Sequence, residues 1–255
     1  MTAAASPRVG TPRAPGARPH RWERLRTQRP EWWLRVAAGA GWLVLAAAVL
    51  GRPGAGHGGH AGALDGGGPH ALAWAAMIAV MAPLIAANVH YAAMRSPRRA
   101  RTAVTGDVVL GWALVWAGAA TVLGLGAWAL TSTVGEPAAV GLLTVAAVAW
   151  QHSSPKRRSL ARCRAVLAPP LDRRRSRRAC LRFGVRLGRD CVLGCAPLMA
   201  LMAVAAHDPL VVAASMGVIW YERRCRPHHD PATRGTSAVI ALAGAAALAA
   251  HLAVL

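Results

Sequence analysis

Acidic residues are scarce in this chain of 255 residues. Ten Asp and Glu stand against 30 Lys and Arg, giving a formal net charge of +20. Lysine is almost missing, since Lys156 is the only one and every other basic residue is Arg. A sequence pI near 11.8 on its own would suggest a nucleic-acid-binding protein. That class is set aside because the charges lie between apolar blocks and not on one face of a soluble fold. The first 30 residues lack the apolar core of a cleavable signal peptide. No nucleophile elbow, Walker loop, HExxH or dinucleotide fingerprint is present, so no covalent catalysis is expected and the chain is read as a non-enzyme. Of the five cysteines, Cys163, Cys180 and Cys225 fall in basic segments and Cys191 and Cys195 fall in an apolar block. None falls in a Gly-rich, Arg-poor loop, so a structural disulfide framework is not expected.

What the chain has is hydrophobic length: 55% of its residues are hydrophobic, above the usual share of a soluble domain. They come in blocks that are apolar all round, not as the single stripe of a soluble core helix. Blocks run over 32–50, 70–94, 105–130, 138–152, 183–206, 210–221 and 236–255. A hydrocarbon core of roughly 30 Å is crossed by about 20 helical residues, so these blocks predict an all-α polytopic transmembrane bundle of about seven spans. The fourth and sixth blocks are short, and a re-entrant pair would preserve the phase of the rest. Residues 1–30, rich in Pro, Arg and Ala, read as a disordered basic tail, and 31–255 as the transmembrane domain. The main Arg-rich loop is read over 153–182, and TSTVGEP over 131–137 as a break between the third and fourth spans.

Charge sets the orientation. With the N-terminus cytoplasmic, the inner segments are the tail, the SPRRAR loop at 96–101, the 153–182 loop and the 222–234 loop. With the adjoining helix ends they hold every Lys and Arg except Arg52, as the positive-inside rule requires. The expected location is the plasma membrane as a multi-pass protein. The expected partners are the lipid bilayer, anionic headgroups at the Arg-rich loops, and a protein that delivers or accepts metal. Nucleic acid is not among them.

The fifth block carries the most informative pattern, DCVLGCAPLM over 190–199. Cys191, Cys195 and Met199 are spaced i, i+4 and i+8, and Met202 lies near the same stripe, so a helix aligns them on one face. Thiolates and thioethers are soft ligands that suit Cu(I), and thiolates suit Zn. Cys and Met are also ordinary packing residues. Gly194 and Pro197 are expected to loosen this helix. In the second block Met77 and Met81 are spaced i, i+4, Pro83 is expected to kink the helix, and Asn88 and His90 are polar near its cytoplasmic end. His90 also fits a simple interfacial position. His152, at the end of the fourth block beside Gln151, either joins a metal site as an imidazole ligand or meets headgroups and water. Asp107, Asp190 and Glu222, near Arg-rich span ends, read as ion-pair partners. His57, His60 and His70, and His228 and His229 beside Cys225, have no closed zinc spacing.

These motifs resemble, in order, a bacterial family: domain-of-unknown-function family 2182, predicted metal-binding integral membrane proteins sometimes labelled copper chaperones. AVMAP at 79–83 looks like its Ala-Met-Met-Leu-Pro run. GDVVLGWALVW at 106–116 looks like its Gly-initiated, Trp-containing span. WQHSSPKRRSLARCR at 150–164 looks like its Tyr-Gln…Pro-Leu-Lys…Cys…Cys-Arg stretch, with Gln151, Pro155, Lys156, Cys163 and Arg164 in matching places. GRDCVLGCAPLM at 188–199 looks like its Cys-x-Gly-Cys-Cys-Trp-x-Leu-Met helix. The resemblance spans roughly residues 70 to 225. This chain departs from it at Val80, Leu160, Gly194 and Ala196, so its sulfur set is thinner. What the resemblance implies is a copper ion held by Cys191, Cys195 and Met199, with Met81 and Cys163 as further ligands; the residues themselves add His152 to that set and place Met77 near Met81. A non-catalytic accessory subunit that holds no metal is the alternative from a different class. A small transporter is a third, disfavoured because few charges lie inside the spans.

Overall fold

The computed structural model describes residues 28–50, 67–164, 176–205, 209–224 and 230–252. Most of the expected basic tail lies outside the described residues. So do the GHGGHAG loop with His57 and His60, residues 165–175 of the Arg-rich segment, and Cys225, His228 and His229.

Every described element is helical. The α-helices are α1 (Trp32–Leu50), α2 (Gly67–Met81), α3 (Ala86–Met94), α4 (Arg101–Val134), α5 (Glu136–Gln151), α6 (Ser154–Arg164), α7 (Ser176–Val204), α8 (Pro209–Arg224) and α9 (Asp230–Leu252). Three segments are long and apolar enough to cross a membrane: Ala71–Met94, Arg98–Val134 and Arg177–Val204. Trp32–Ala47 and Gly235–Ala249 are shorter apolar helices.

The break expected at Thr131 comes later. Helix α4 runs to Val134, and its terminal hydroxyls are satisfied by donating back along their own helix. Thr131 Oγ1 bonds the Ala127 carbonyl at 3.0 Å, Ser132 Oγ the Trp128 carbonyl at 2.7 Å and Thr133 Oγ1 the Ala129 carbonyl at 3.1 Å. Gly135 then stops it with φ +79°, a left-handed value that glycine adopts without a Cβ clash. Pro137 follows in the first turn of α5, where its missing N–H is not needed.

The two prolines expected to disturb spans behave differently. At Pro83 the α-helix gives way to a 3-10 segment, Ala82–Ile85, before α3 resumes. At Pro197, by contrast, α7 is continuous. Its N-terminal end also begins earlier than the apolar block, taking in the basic turn from Ser176.

Helix α7 is the hub. It packs along α4 over the most extensive contact in the molecule, and it also touches α5, α6 and α8. Gly111 and Gly184 let the α4 and α7 backbones meet. A Cβ on Gly184 would lie 2.1 Å from the Val108 carbonyl oxygen, and one on Gly111 would lie 2.3 Å from that of Leu181. Close approach through small residues four apart, here Gly184 and Gly188, is how helices associate where no hydrophobic drive separates them from lipid. Trp112 and Trp116 fill the core beside this contact, with centroids 6.2 Å apart and planes tilted at 57°. Elsewhere α1 packs on α2, α3 on α4, and α9 on α5 and α8.

Candidate metal centre

The 153–182 segment, expected as loop, contains a helix that builds one wall of the candidate site. The hydroxyl of Ser153 accepts the Lys156 backbone N–H at 3.3 Å, the bond of an N-cap, and Pro155 is tolerated in the first turn. Along α6 the residues at i, i+3 and i+7 turn inward: Lys156, Ser159 and Cys163, all 2–3% exposed. Arg157, Arg158 and Arg162 face outward and are exposed. The inner face is therefore polar and sulfur-bearing, unlike that of an ordinary amphipathic helix.

Three contacts fix this face. Ser159 Oγ donates to the Asp190 carbonyl, joining α6 to α7. Lys156 Nζ donates to Gln151 Oε1 at the end of α5. It also pairs with Glu222 Oε1 at 2.8 Å on the last turn of α8. Glu222 and Arg223 belong to that turn because α8 runs to Arg224, a turn past the apolar block. Of the acidic residues expected as ion-pair partners, Glu222 thus holds Lys156, and Asp107 holds Arg177 at 3.3 Å. Asp190 accepts from Ser159 through its carbonyl and is among the residues that line the site.

Between α6, α7 and α8 lies a small cleft. Its lining includes Cys163, Cys191, Cys195, Asp190, Glu222 and Arg223, closed by Leu160, Gly194 and Ile219. Cys163 and Cys191 both line it, close enough for each thiol to influence the other's proton. The influence of Cys191, followed by burial, pushes the Cys163 thiol on α6 up from its ordinary value, so it keeps its proton until something displaces it. Cys195, one turn along α7, donates its S–H to the Cys191 carbonyl at 2.7 Å. Arg223 Nη2 donates to Cys191 Sγ at 2.6 Å, and its Nη1 donates to the Leu84 carbonyl at 3.4 Å. Leu84 lies in the 3-10 segment around Pro83, so the break in the second apolar block abuts the cysteine site. The Trp112 indole, 2% exposed, stands beside Cys191, and among the described residues its N–H meets no nitrogen or oxygen acceptor.

Of the six expected ligands, three meet in this cleft: Cys163, Cys191 and Cys195. Met199 is fully buried on α7 beyond the lining, as Met202 is, and Met77 and Met81 are fully buried on α2. His152 is exposed and lies 3.1 Å from Ser237 Oγ on α9, away from the thiols. His90 lies 2.9 Å from Glu31 Oε2. Asn88 is buried, with its Nδ2 atom unpartnered among the described residues. The cleft is not a closed cage: among the described residues no group of three or more His, Cys, Asp or Glu side chains is spaced to hold a metal ion. Two neighbouring thiols nevertheless suit a soft ion of low coordination number. Sequence reasoning missed Arg223, hidden in a run of loop arginines, and the role of Lys156. The signal for Lys156 was its isolation, as the one lysine in a chain that otherwise uses arginine.

These features define an all-helical protein, with helices long enough to cross a membrane, built around a buried cluster of thiols. The chain belongs to the PpoB2 family, described as copper chaperone, whose model matches residues 71–247. No curated protein and no solved structure matches it.

Proposed function

We propose that this protein is a multi-pass plasma-membrane protein that holds Cu(I) as cargo and hands it to a partner protein, without catalysing a covalent reaction. One observation carries the metal assignment: Cys163 from α6 and Cys191 and Cys195 from α7 converge on one buried cleft. Their softness fits Cu(I), and the family's description supports copper. Met199, in the turn after Cys195, is the next soft donor along α7 and belongs to the proposed transfer route, with Met81 and Met77 of α2 as further candidates.

The membrane setting rests on the seven apolar blocks and the arginine distribution. With the N-terminus cytoplasmic, α6 and its cleft lie at the cytoplasmic face, where exposed Arg157, Arg158 and Arg162 meet anionic headgroups, each worth about 1 kcal/mol near the surface.

The test is the metal content of detergent-purified protein after anaerobic loading with Cu(I), compared with a Cys191→Ser/Cys195→Ser variant of equal monodispersity. Close to one copper per chain, lost in the variant, is the expected result. Copper absent from both proteins would leave the thiols as packing and favour the metal-free accessory subunit.

A further inference from the structure

The Cys163–Cys191 pair shares its cleft with a fixed positive charge. Arg223 Nη2 touches Cys191 Sγ at 2.6 Å. Its other arm reaches the Leu84 carbonyl at 3.4 Å. A forked guanidinium serves both acceptors at once, whereas a lysine ammonium at the end of a flexible stem does so poorly. We infer that Arg223 is a specificity-determining residue, a built-in counter-cation that makes this thiol pair prefer a monovalent soft ion to a divalent one. The inference rests on the proposed metal site and deepens it by naming the charge class of its cargo.

Charge balance carries the argument. When a monovalent ion replaces the two thiol protons, M⁺ + 2 RSH gives [M(SR)₂]⁻ + 2 H⁺, and the complex keeps one negative charge. A divalent ion on the same two sulfurs gives a neutral complex. A guanidinium in contact with one sulfur attracts the first complex and gains little from the second, while it repels the incoming divalent ion. The count of two sulfurs follows from Cys195, whose S–H is turned to the Cys191 carbonyl at 2.7 Å. The other charges facing the site are Lys156, Glu222 and Asp190. Lys156 and Glu222 are paired at 2.8 Å, so their fields largely cancel at the sulfurs. Asp190 is also among the lining residues, while Arg223 is in contact with a sulfur. Coulomb energy falls as 1/r, so the contact charge dominates.

The test uses the full reduced chain in detergent with three probes: Cu(I), Ag(I) as a monovalent ion without redox chemistry, and Cd(II) as a soft divalent ion. Affinities are measured by chelator competition for wild type, Arg223→Met and Arg223→Lys. Arg223→Met is expected to weaken Ag(I) and Cu(I) about tenfold or more while Cd(II) stays level or tightens, and Arg223→Lys to stay within about threefold of wild type for Ag(I). Equal weakening of all three ions in Arg223→Met, or no change in any, overturns the inference while leaving the metal site standing. Wild-type protein that binds neither Ag(I) nor Cu(I) sinks the site itself and the inference with it. Should Arg223→Met fail to fold, Arg223→Gln gives the same comparison, because it removes the charge and keeps a donor for Leu84.

Discussion

Helix α7 takes part in two contacts built on opposite principles. Toward α4 it presents glycine, and the two backbones meet at Gly111 and Gly184 with no side chain between them. Toward α6 and α8 it presents sulfur, and the gap is bridged by charged and polar side chains: Lys156, Glu222, Arg223 and Ser159. The first contact gains dispersion at short range and has no room for change. The second keeps a cleft open by holding it with directional bonds, each of which fails if one partner is removed. A helix that must be both a fixed wall and a site therefore separates the two jobs by face.

The sharpest way to break this comparison is at the glycine face. Gly184→Ala puts a Cβ against the Val108 carbonyl at 2.1 Å, backbone that cannot swing aside. The α4–α7 contact must then open, at a cost of about 3 kcal/mol or more. The measurement is the yield and melting temperature of monodisperse protein, which should fall for Gly184→Ala and for Gly111→Ala. Unchanged melting in both would show that the glycine contact is not what fixes these helices.

At the cleft the expected effects are of similar origin but rescuable. Lys156→Met removes the 2.8 Å ion pair with Glu222 at a lysine that is 2% exposed, a loss of about 3 kcal/mol. Adding Glu222→Leu removes the second charge of the pair and should restore stability to within about 1 kcal/mol of wild type. Thermal melting of the two variants checks this, and a double variant no better than the single one would mean that Glu222 has other essential ties. No such rescue is available at Gly184.

The smallest effect sharpens the comparison. Gly194 lies on the same helix, but a Cβ there meets only Ser159 Oγ at 3.6 Å and Leu160 Cδ2 at 4.0 Å, ordinary van der Waals distances. Gly194→Cys should change stability by less than about 1 kcal/mol and add a thiol to the cleft lining. Metal titration should then show tighter retention of Cu(I) under chelator challenge than in wild type. Equal retention would mean that the new sulfur does not reach the ion.

The sequence made part of this legible. Apolar blocks located the helices because a span must be apolar all round, and the i, i+4 spacing put Cys191 and Cys195 on one helix near Met199. Cys163 was reachable only through the family resemblance, since its own segment reads as an arginine-rich loop. What hid α6 was composition: its inward face is Lys156, Ser159 and Cys163, so no apolar stripe announces a buried side. The last turn of α8 was hidden the same way, because Glu222 and Arg223 look like loop charge until a buried lysine and a thiol are found to receive them. His152 was the opposite case, a plausible ligand type at a span end that the fold turns toward Ser237. The Thr131–Thr133 stretch read as a turn because hydroxyl side chains are enriched there, yet it is helical, with each hydroxyl donating to a carbonyl of its own helix.

Two of the three glycines of α7 also say something about descent. Position 184 admits no side chain, whereas position 194 has room for one facing the cleft. A lineage carrying this fold is therefore free to gain or lose a sulfur at 194 by a single substitution, without renegotiating how its helices assemble. Variation in sulfur number among such chains can track the chemistry they meet while the scaffold stays the same.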